Sequence, residues 1–276
     1  MRIAKFPLHI AGIFIASMVL AQAPAISPND LVRTVVANEL KQSETDPSRW
    51  MYELTKIENG QTQTKRVVEM RDGSLDRVIA NNGQSLSVQK QNEESDRIAK
   101  LVKNPQEQEK LNQQQRKDAA QCAALIKMMP DAFIFSYAGQ EGDLQRLTFA
   151  PNLAFHSSTW QARVLHAMAG DILIHVRNQR LAAISGHLTD DVKFGGGLFG
   201  HLAKGGHFDV QRTNIGSGHW EITHLDVNMN GKAFLLKSIA IQRNEKKANF
   251  KRVGDNLSPQ AAAQELNSRT VLAWKK

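Results

Sequence analysis

Between residues 160 and 253, apolar and polar positions alternate with a period near two, the spacing of strands. The best-marked stretch is Trp220-Glu-Ile-Thr-His-Leu-Asp-Val-Asn-Met, then Asn230-Gly231, then Lys-Ala-Phe-Leu-Leu-Lys-Ser-Ile-Ala-Ile241. Asn-Gly between two β-rich runs predicts a two-residue type I′ hairpin, because both turn positions need φ > 0. That turn would set Val227 against Phe234 and Leu225 against Leu236 on one face. Ile222 would meet Ile239, and Trp220 would meet Ile241, on the other. Apolar residues on both faces imply a strongly curved sheet, covered on its concave side. An earlier hairpin is expected from Ile172, Ile174 and Val176 to 181–188, turning near Asn178-Gln179. Between the two hairpins, 190–206 holds six glycines, which permit backbone shapes closed to other residues.

Elsewhere the pattern changes period. Leu31, Val35, Val36 and Leu40 mark one face of a helix, with Asn29 or Asp30 as its cap. Strands are expected at 50–58 and 62–70, turned at Asn59-Gly60, which would pair Tyr52 with Val67 and Glu53 with Arg66. Asp72-Gly73 makes another turn into a strand at 75–80. From 87 to 129 glutamine and charged residues dominate, predicting helices broken at Asn104-Pro105 and wholly polar over 112–118. Strands at 130–137 and 144–149, another near 249–253, and a helix over 258–272 capped by Ser258 complete the reading. The expected fold is α+β. It has a strongly curved antiparallel sheet, an open half-barrel of about nine or ten strands, with helices packed on the concave side and a long polar helical insertion over 87–129.

The first residues alter the compartment. Arg2 and Lys5, an apolar run over 10–20 and Ala21-Gln22-Ala23 together read as a signal peptide, cleaved after Ala23. The expected protein is therefore periplasmic or secreted, a single domain over 24–276. No later apolar run could span a bilayer. Removing two signal cations from a formal charge of +8 leaves +6, scattered along the chain, which argues against nucleic acid. Cys122, the only cysteine, cannot form an internal disulfide and is expected as a buried small residue.

Candidate chemistry is sparse. Eight histidines fall between His156 and His224, but no His-Glu-x-x-His or Cys-x-x-Cys spacing accompanies them, so neither a metal nor another cofactor is expected. His187, Asp190, Asp191 and Lys193 could set a base beside acids, yet no nucleophile motif is present and no enzyme is predicted. The loop over 195–206 lacks the Gly-Lys-Ser/Thr of a phosphate loop. Its Leu198, Phe199 and Leu202 either plug the end of the sheet or form a lid over ligand. With Trp220, Ile222, Phe234 and Leu236 they make up the expected ligand-binding set.

Several stretches together carry a resemblance. They are Arg77-Val-Ile-Ala-Asn-Asn-Gly-Gln-Ser-Leu86 before a charged helix, Met129-Pro-Asp-Ala-Phe133, Ala162-Arg-Val-Leu-His-Ala-Met-Ala-Gly170, Asp191-Val-Lys-Phe-Gly-Gly-Gly-Leu198 and Lys204-Gly-Gly-His-Phe208. The chain resembles a family of uncharacterised exported bacterial proteins whose plan is similar to the periplasmic lipoprotein-carrier fold (LolA, LolB and RseB-like). That resemblance is one of architecture. The expected function is a cell-envelope binding protein that holds a lipid, a lipoprotein acyl chain or another apolar ligand in the concave apolar face of the curved sheet, with the glycine loop as gate. The alternative is an envelope interaction or sensor protein that uses 106–118 as its partner surface. An enzyme built on the cluster from His187 to Lys193 is the third reading.

Overall fold

The computed structural model describes residues 26–58, 60–156, 159–194, 200–233 and 237–268, with the backbone alone at 194, 232–233 and 237–241. The expected signal peptide, Asn59, Leu198, Phe199, Phe234 and Leu236 lie outside the described residues. The first half of the chain runs α1 (Pro28–Thr45), β1 (Arg49–Glu58), β2 (Gln61–Met70), β3 (Gly73–Asn81), β4 (Gln84–Ser85), α2 (Val88–Val102), α3 (Pro105–Ala132), β5 (Phe133–Glu141) and β6 (Leu144–Pro151). Then come α4 (Trp160–His166), β7 (Met168–His175), β8 (Arg180–Leu188), β9 (Val192–Phe194), β10 (Gly200–Leu202), β11 (His207–Gly216), β12 (His219–Ala233), β13 (Lys237–Val253) and α5 (Pro259–Asn267).

The described strands form one antiparallel sheet in the order β4-β3-β2-β1-β13-β12-β11-β8-β7-β6-β5, with β10 and β9 added beside β12. It is not closed into a barrel. Its thirteen strands exceed the nine or ten expected. The surplus is β11, a polar strand that the apolar pattern under-reports, together with the short β4, β9 and β10.

The local hairpin signals divide. The first hairpin has the expected register: Tyr52 pairs with Val67 and Glu53 with Arg66. The β7–β8 hairpin also stands where predicted, and the turn expected at Asp72-Gly73 falls one residue earlier, at Arg71-Asp72, with Gly73 opening β3 opposite Met70. Asn230-Gly231 does not turn. Both residues lie inside β12, where Asn230 faces Ala240 and Gly231 faces Ile239. Val227 therefore pairs with Arg243 and Leu225 with Glu245, and the chain reverses after Ala233. Gly231 serves another purpose. A Cβ there would stand 2.1 Å from the carbonyl oxygen of His201, because β10 lies close against it.

Three further expectations change. The stretch from Trp160 opens with the short helix α4, capped by the Thr159 side chain, rather than with a strand. The cap of α1 is Ser27, whose Oγ accepts from Asp30 N at 3.1 Å. Asn29 is instead turned to the edge of the sheet. Its Nδ2 donates to the carbonyls of Pro130 and Phe133, and its Oδ1 accepts from Phe135 N. It thus supplies ladder bonds that the end strand β5 would otherwise lack. Finally, α3 runs through Pro130 to Ala132, so β5 begins at Phe133.

Strand register assigns the helices to faces. Met51 shares a side of the sheet with Val68, Leu75 and Val253, and α2 and α5 pack there through Ile98, Leu101, Ala262 and Leu266. Followed through Thr55, Lys246 and His224, that side is polar beyond β13, while Val227 and Met229 face the opposite way. The opposite side continues through Phe208, Ile184, Ile172, Leu147 and Phe135. On it α1 lays Leu31, Val32, Val35 and Val36, each worth roughly 1.5–3 kcal/mol of gross burial. Helices are thus divided between both faces rather than gathered on one concave side. Cys122 is exposed, not buried as expected. Among the described residues no helix is long and apolar enough to cross a membrane.

We expect Gly231→Ala to cost about 1–3 kcal/mol by overpacking β10 against β12. Hydrogen exchange at Ala203, whose N–H donates to Asn230 O, should quicken in the same variant. An Ala203 amide protected as in the parent would mean that β10 does not rest on this glycine.

Candidate functional site

The chemistry gathers where two neighbouring strands part. β8 and β11 pair from His187↔His207 to Ala183↔Gln211 and no further. Register shifts lie beside this point on both, between Leu173 and Ile174 on the β7 side and between Gln211 and Arg212 on the β12 side. Such bulges add local twist and unpair the ladder, so Arg180–Ala182 and Arg212–Asn214 stand apart.

Glu39 of α1 fills the upper part of this gap. Its Oε1 accepts from Arg180 Nε at 2.8 Å and from the Leu181 backbone N–H at 2.9 Å, while Oε2 accepts from Arg180 Nη2 at 2.6 Å and from Arg212 Nη1. The three side chains are 8%, 10% and 14% exposed. Burial pushes the Glu39 carboxyl up, but the hydrogen bond from Arg180 and the Arg212 charge outweigh it and hold the group below its ordinary range. The Leu181 N–H, left without a strand partner at this seam, is bonded by a side chain instead.

Below this wedge an open cleft of about 600 Å³ is lined by Leu144, His175, Arg177, Ala182, Arg212 and Trp220, among others. Arg212 Nη2 donates to Trp220 O at 2.8 Å, tying the wedge to the cleft wall. The rings of His175 and Trp220 meet edge to face, with centroids 5.4 Å apart. His175 Nδ1 and Trp220 Nε1 are both buried without a hydrogen-bond partner.

A second seam lies on the far side of Trp220. β12 pairs with β13 only from His224 onward, while β1 pairs along the other edge of β13 from Asn244 to Val253. His219 and Glu221 project into this opening. His219 Nδ1 stands 2.6 Å from Asp46 Oδ2 and 3.1 Å from Ser48 Oγ, and its Nε2 is 3.7 Å from Glu221 Oε2. Lys247 Nζ donates to Glu221 Oε1 at 3.0 Å and sits 4.7 Å over the Tyr52 ring. Burial alone would lower His219 and raise Glu221. Their mutual bond, with Asp46 and Lys247, reverses both: His219 is raised, and Glu221 is held at about 2. Glu69 goes the other way, raised first by burial and then by the Glu221 charge.

Ser48, His219 and Asp46 do not form a catalytic triad. Ser48 Oγ and Asp46 Oδ2 both approach the same ring nitrogen, so none remains to take a proton from serine and be steadied from behind. Ser48 Oγ also accepts from Trp50 Nε1. The arrangement is a histidine ring held between two carboxylates, Asp46 and Glu221.

Of the residues expected to bind ligand, the described Leu202 and Trp220 are not brought together. Leu202 is buried in the core and pairs with Gly231. Trp220 lies eleven positions along the same strand, about 36 Å of chain at strand rise. Trp220 forms the cleft wall, and the half-buried Ile222 faces the same side. Leu198, Phe199, Phe234 and Leu236 lie outside the described residues. In the cluster from His187 to Lys193, Asp191 Oδ1 accepts from Lys204 N at 2.8 Å, and His187, Asp190 and Lys193 are exposed. Sequence reading missed Glu39, His175, Arg180 and Arg212. A signal did exist for Glu39: a carboxylate at the next position of the stripe of Val32, Val35 and Val36 occupies a buried helix face. Among the described residues no group of three His, Cys, Asp or Glu is placed to hold a metal.

Glu39→Ala should cost about 3–5 kcal/mol, because two buried guanidiniums lose their counter-charge. Adding Arg180→Met and Arg212→Met should restore part of it, read from urea midpoints. In the clasp formed by His219 with Asp46 and Glu221, His219 is raised, so its contribution is complete below its ordinary pKa of about 6.5 and fades as pH climbs through the folded value. Asp46 and Glu221 are lowered, so theirs holds above about pH 4.5 and fades in acid. The clasp should be strongest near pH 5–6 and weaken toward pH 9. His219→Gln should lose about 1.5–3 kcal/mol near pH 5–6 and flatten the alkaline decline in Tm. Comparison with family models, with curated proteins and with solved structures finds no match for the chain.

Proposed function

We propose that the chain is an exported cell-envelope binding protein with a LolA-like half-barrel, and that it holds a lipid, a lipoprotein acyl chain or another apolar ligand. The seat is the cleft at the β8–β11 seam, with Trp220 as its wall, rather than a hollow near Leu202. The observation that carries this reading is the parting of two central strands over a side-chain-lined cleft with buried ring nitrogens left unbonded. Its volume lies within the range that small-molecule sites occupy.

Curvature is supported by the reach of α3. Gln115 Nε2 donates to Ser74 Oγ on β3 at 3.2 Å, and the same helix leads straight into β5. From Gln115 to Ala132 a helix rises about 26 Å. Nine strand steps from β3 to β5 would span about 43 Å in a flat sheet. A sheet whose far strands are joined this way is bent or strongly twisted. Binding is favoured over catalysis because the charged groups beside the cleft and in the second seam are bonded to one another: Glu39 to two arginines, His219 and Lys247 to carboxylates.

One observation favours the alternative, an interaction or sensor role. Residues 113–122 of α3 are exposed on every side of the helix, nearly three turns without a buried face. A partner captured from envelopes and lost when 106–118 is replaced would support it.

The binding reading is tested with protein isolated from envelopes without detergent. Native mass spectrometry should show a bound apolar molecule, and a fluorescent fatty-acid probe should bind saturably. Trp220→Ala should weaken the probe about tenfold or more, the effect of losing one aromatic anchor. Protein that emerges empty and gives no saturable probe signal would sink the reading.

A further inference from the structure

The side chains of the cleft are not neutral in polarity. Among the described residues Arg177 and Arg212 line it, and no Asp or Glu does. A guanidinium only donates, and it carries five N–H groups. Arg212 donates to Glu39 and to Trp220 O, and Arg177 donates to Asp143, so donors remain on each. Trp220 Nε1 also only donates, and it has no partner although the residue is 8% exposed. His175 Nδ1, against the same indole, is unbonded too. Asn178, Thr213 and Asn214 can serve either way. Every lining group of fixed polarity therefore offers a proton, and none accepts one.

Beside these donors Leu144, Ala182 and the Trp220 ring form an apolar wall. Glu39 approaches Arg212 from α1, and Asp143 approaches Arg177 from the β5–β6 turn, and neither acid lines the cleft. We propose that the cleft selects a carboxylate amphiphile: the acid head faces Arg177 and Arg212 and reaches the unbonded ring nitrogens, and the apolar body lies along Leu144, Ala182 and Trp220. This rests on the binding reading above and names its ligand class. A carboxylate fits a guanidinium fork with two parallel bonds. An alcohol of the same chain would keep the wall contact and lose the charge, and an ammonium would meet two fixed cations.

The test uses the full chain and three probes of equal chain length, decanoate, decanol and decyltrimethylammonium, titrated calorimetrically and by tryptophan fluorescence. Decanoate should bind about tenfold or more tighter than decanol, the effect of a charge-assisted hydrogen bond, and the ammonium should be weakest. Arg177→Gln, at an exposed turn, should weaken decanoate about 3–10-fold, and more than it weakens decanol. Trp220→Phe keeps the ring, removes the donor and should narrow the preference for acid over alcohol. A thermal melt of each variant reports whether it is folded, and Arg177→Gln decides the matter if Trp220→Phe is not. Decanol or the ammonium binding as tightly as decanoate would overturn the ligand class and leave the binding reading standing. No saturable binding by any probe would overturn both.

Discussion

One carboxylate holds the middle of this molecule together. Where β8 and β11 cease to pair, Glu39 supplies from a helix the acceptors that a strand would have supplied. Its buried charge is stable only because two guanidiniums and a backbone N–H meet it at once. α1 is thereby locked to the sheet by a directional contact as well as by its valines. The cleft exists because the strands part, and the strands stay parted without orphaned ladder groups because Glu39 is there.

The same logic recurs one seam further on. β13 pairs with β12 over 237–246 and with β1 over 244–253, so beyond Lys246 its β12 side is left open. The opening this leaves is filled by His219, Glu221 and Lys247, joined to Asp46 at the end of α1 and to Ser48 just before β1. Trp220 stands between the two seams with its backbone tied to Arg212 and its ring on the cleft. A wide sheet that splits twice gains concave, polar-lined places that a continuous ladder would close. The helices follow from this division: α1 covers the apolar face of one half, and α2 with α5 covers the opposite face of the other half.

Much of the local structure was legible. The proline break at Asn104-Pro105, the Ser258 cap and the Asn59-Gly60 hairpin each rest on contacts within a few residues. Asn230-Gly231 carried the same signal as Asn59-Gly60 and meant something else. A glycine can serve a positive φ or the close approach of another backbone, and only the neighbour distinguishes them. Gly60 has a φ of 73° and open space around it, whereas Gly231 has the carbonyl of His201 against it. The error displaced the register of β12 on β13, so that Val227 meets Arg243 and Leu225 meets Glu245. β11 was missed because its residues are too polar to mark a face.

By itself the sequence determined the period and ends of most elements, since those depend on hydrogen bonds and side chains a turn or less apart. It also determined that the structure would be helices on an antiparallel sheet. Tertiary structure alone decided which strands separate, which face each helix covers and where the buried charges meet. Glu39 lies 141 residues from Arg180 and 173 from Arg212, and Asp46 lies 173 from His219. No local preference encodes a contact at that separation. It forms because a charge carried into the interior has to find its opposite there.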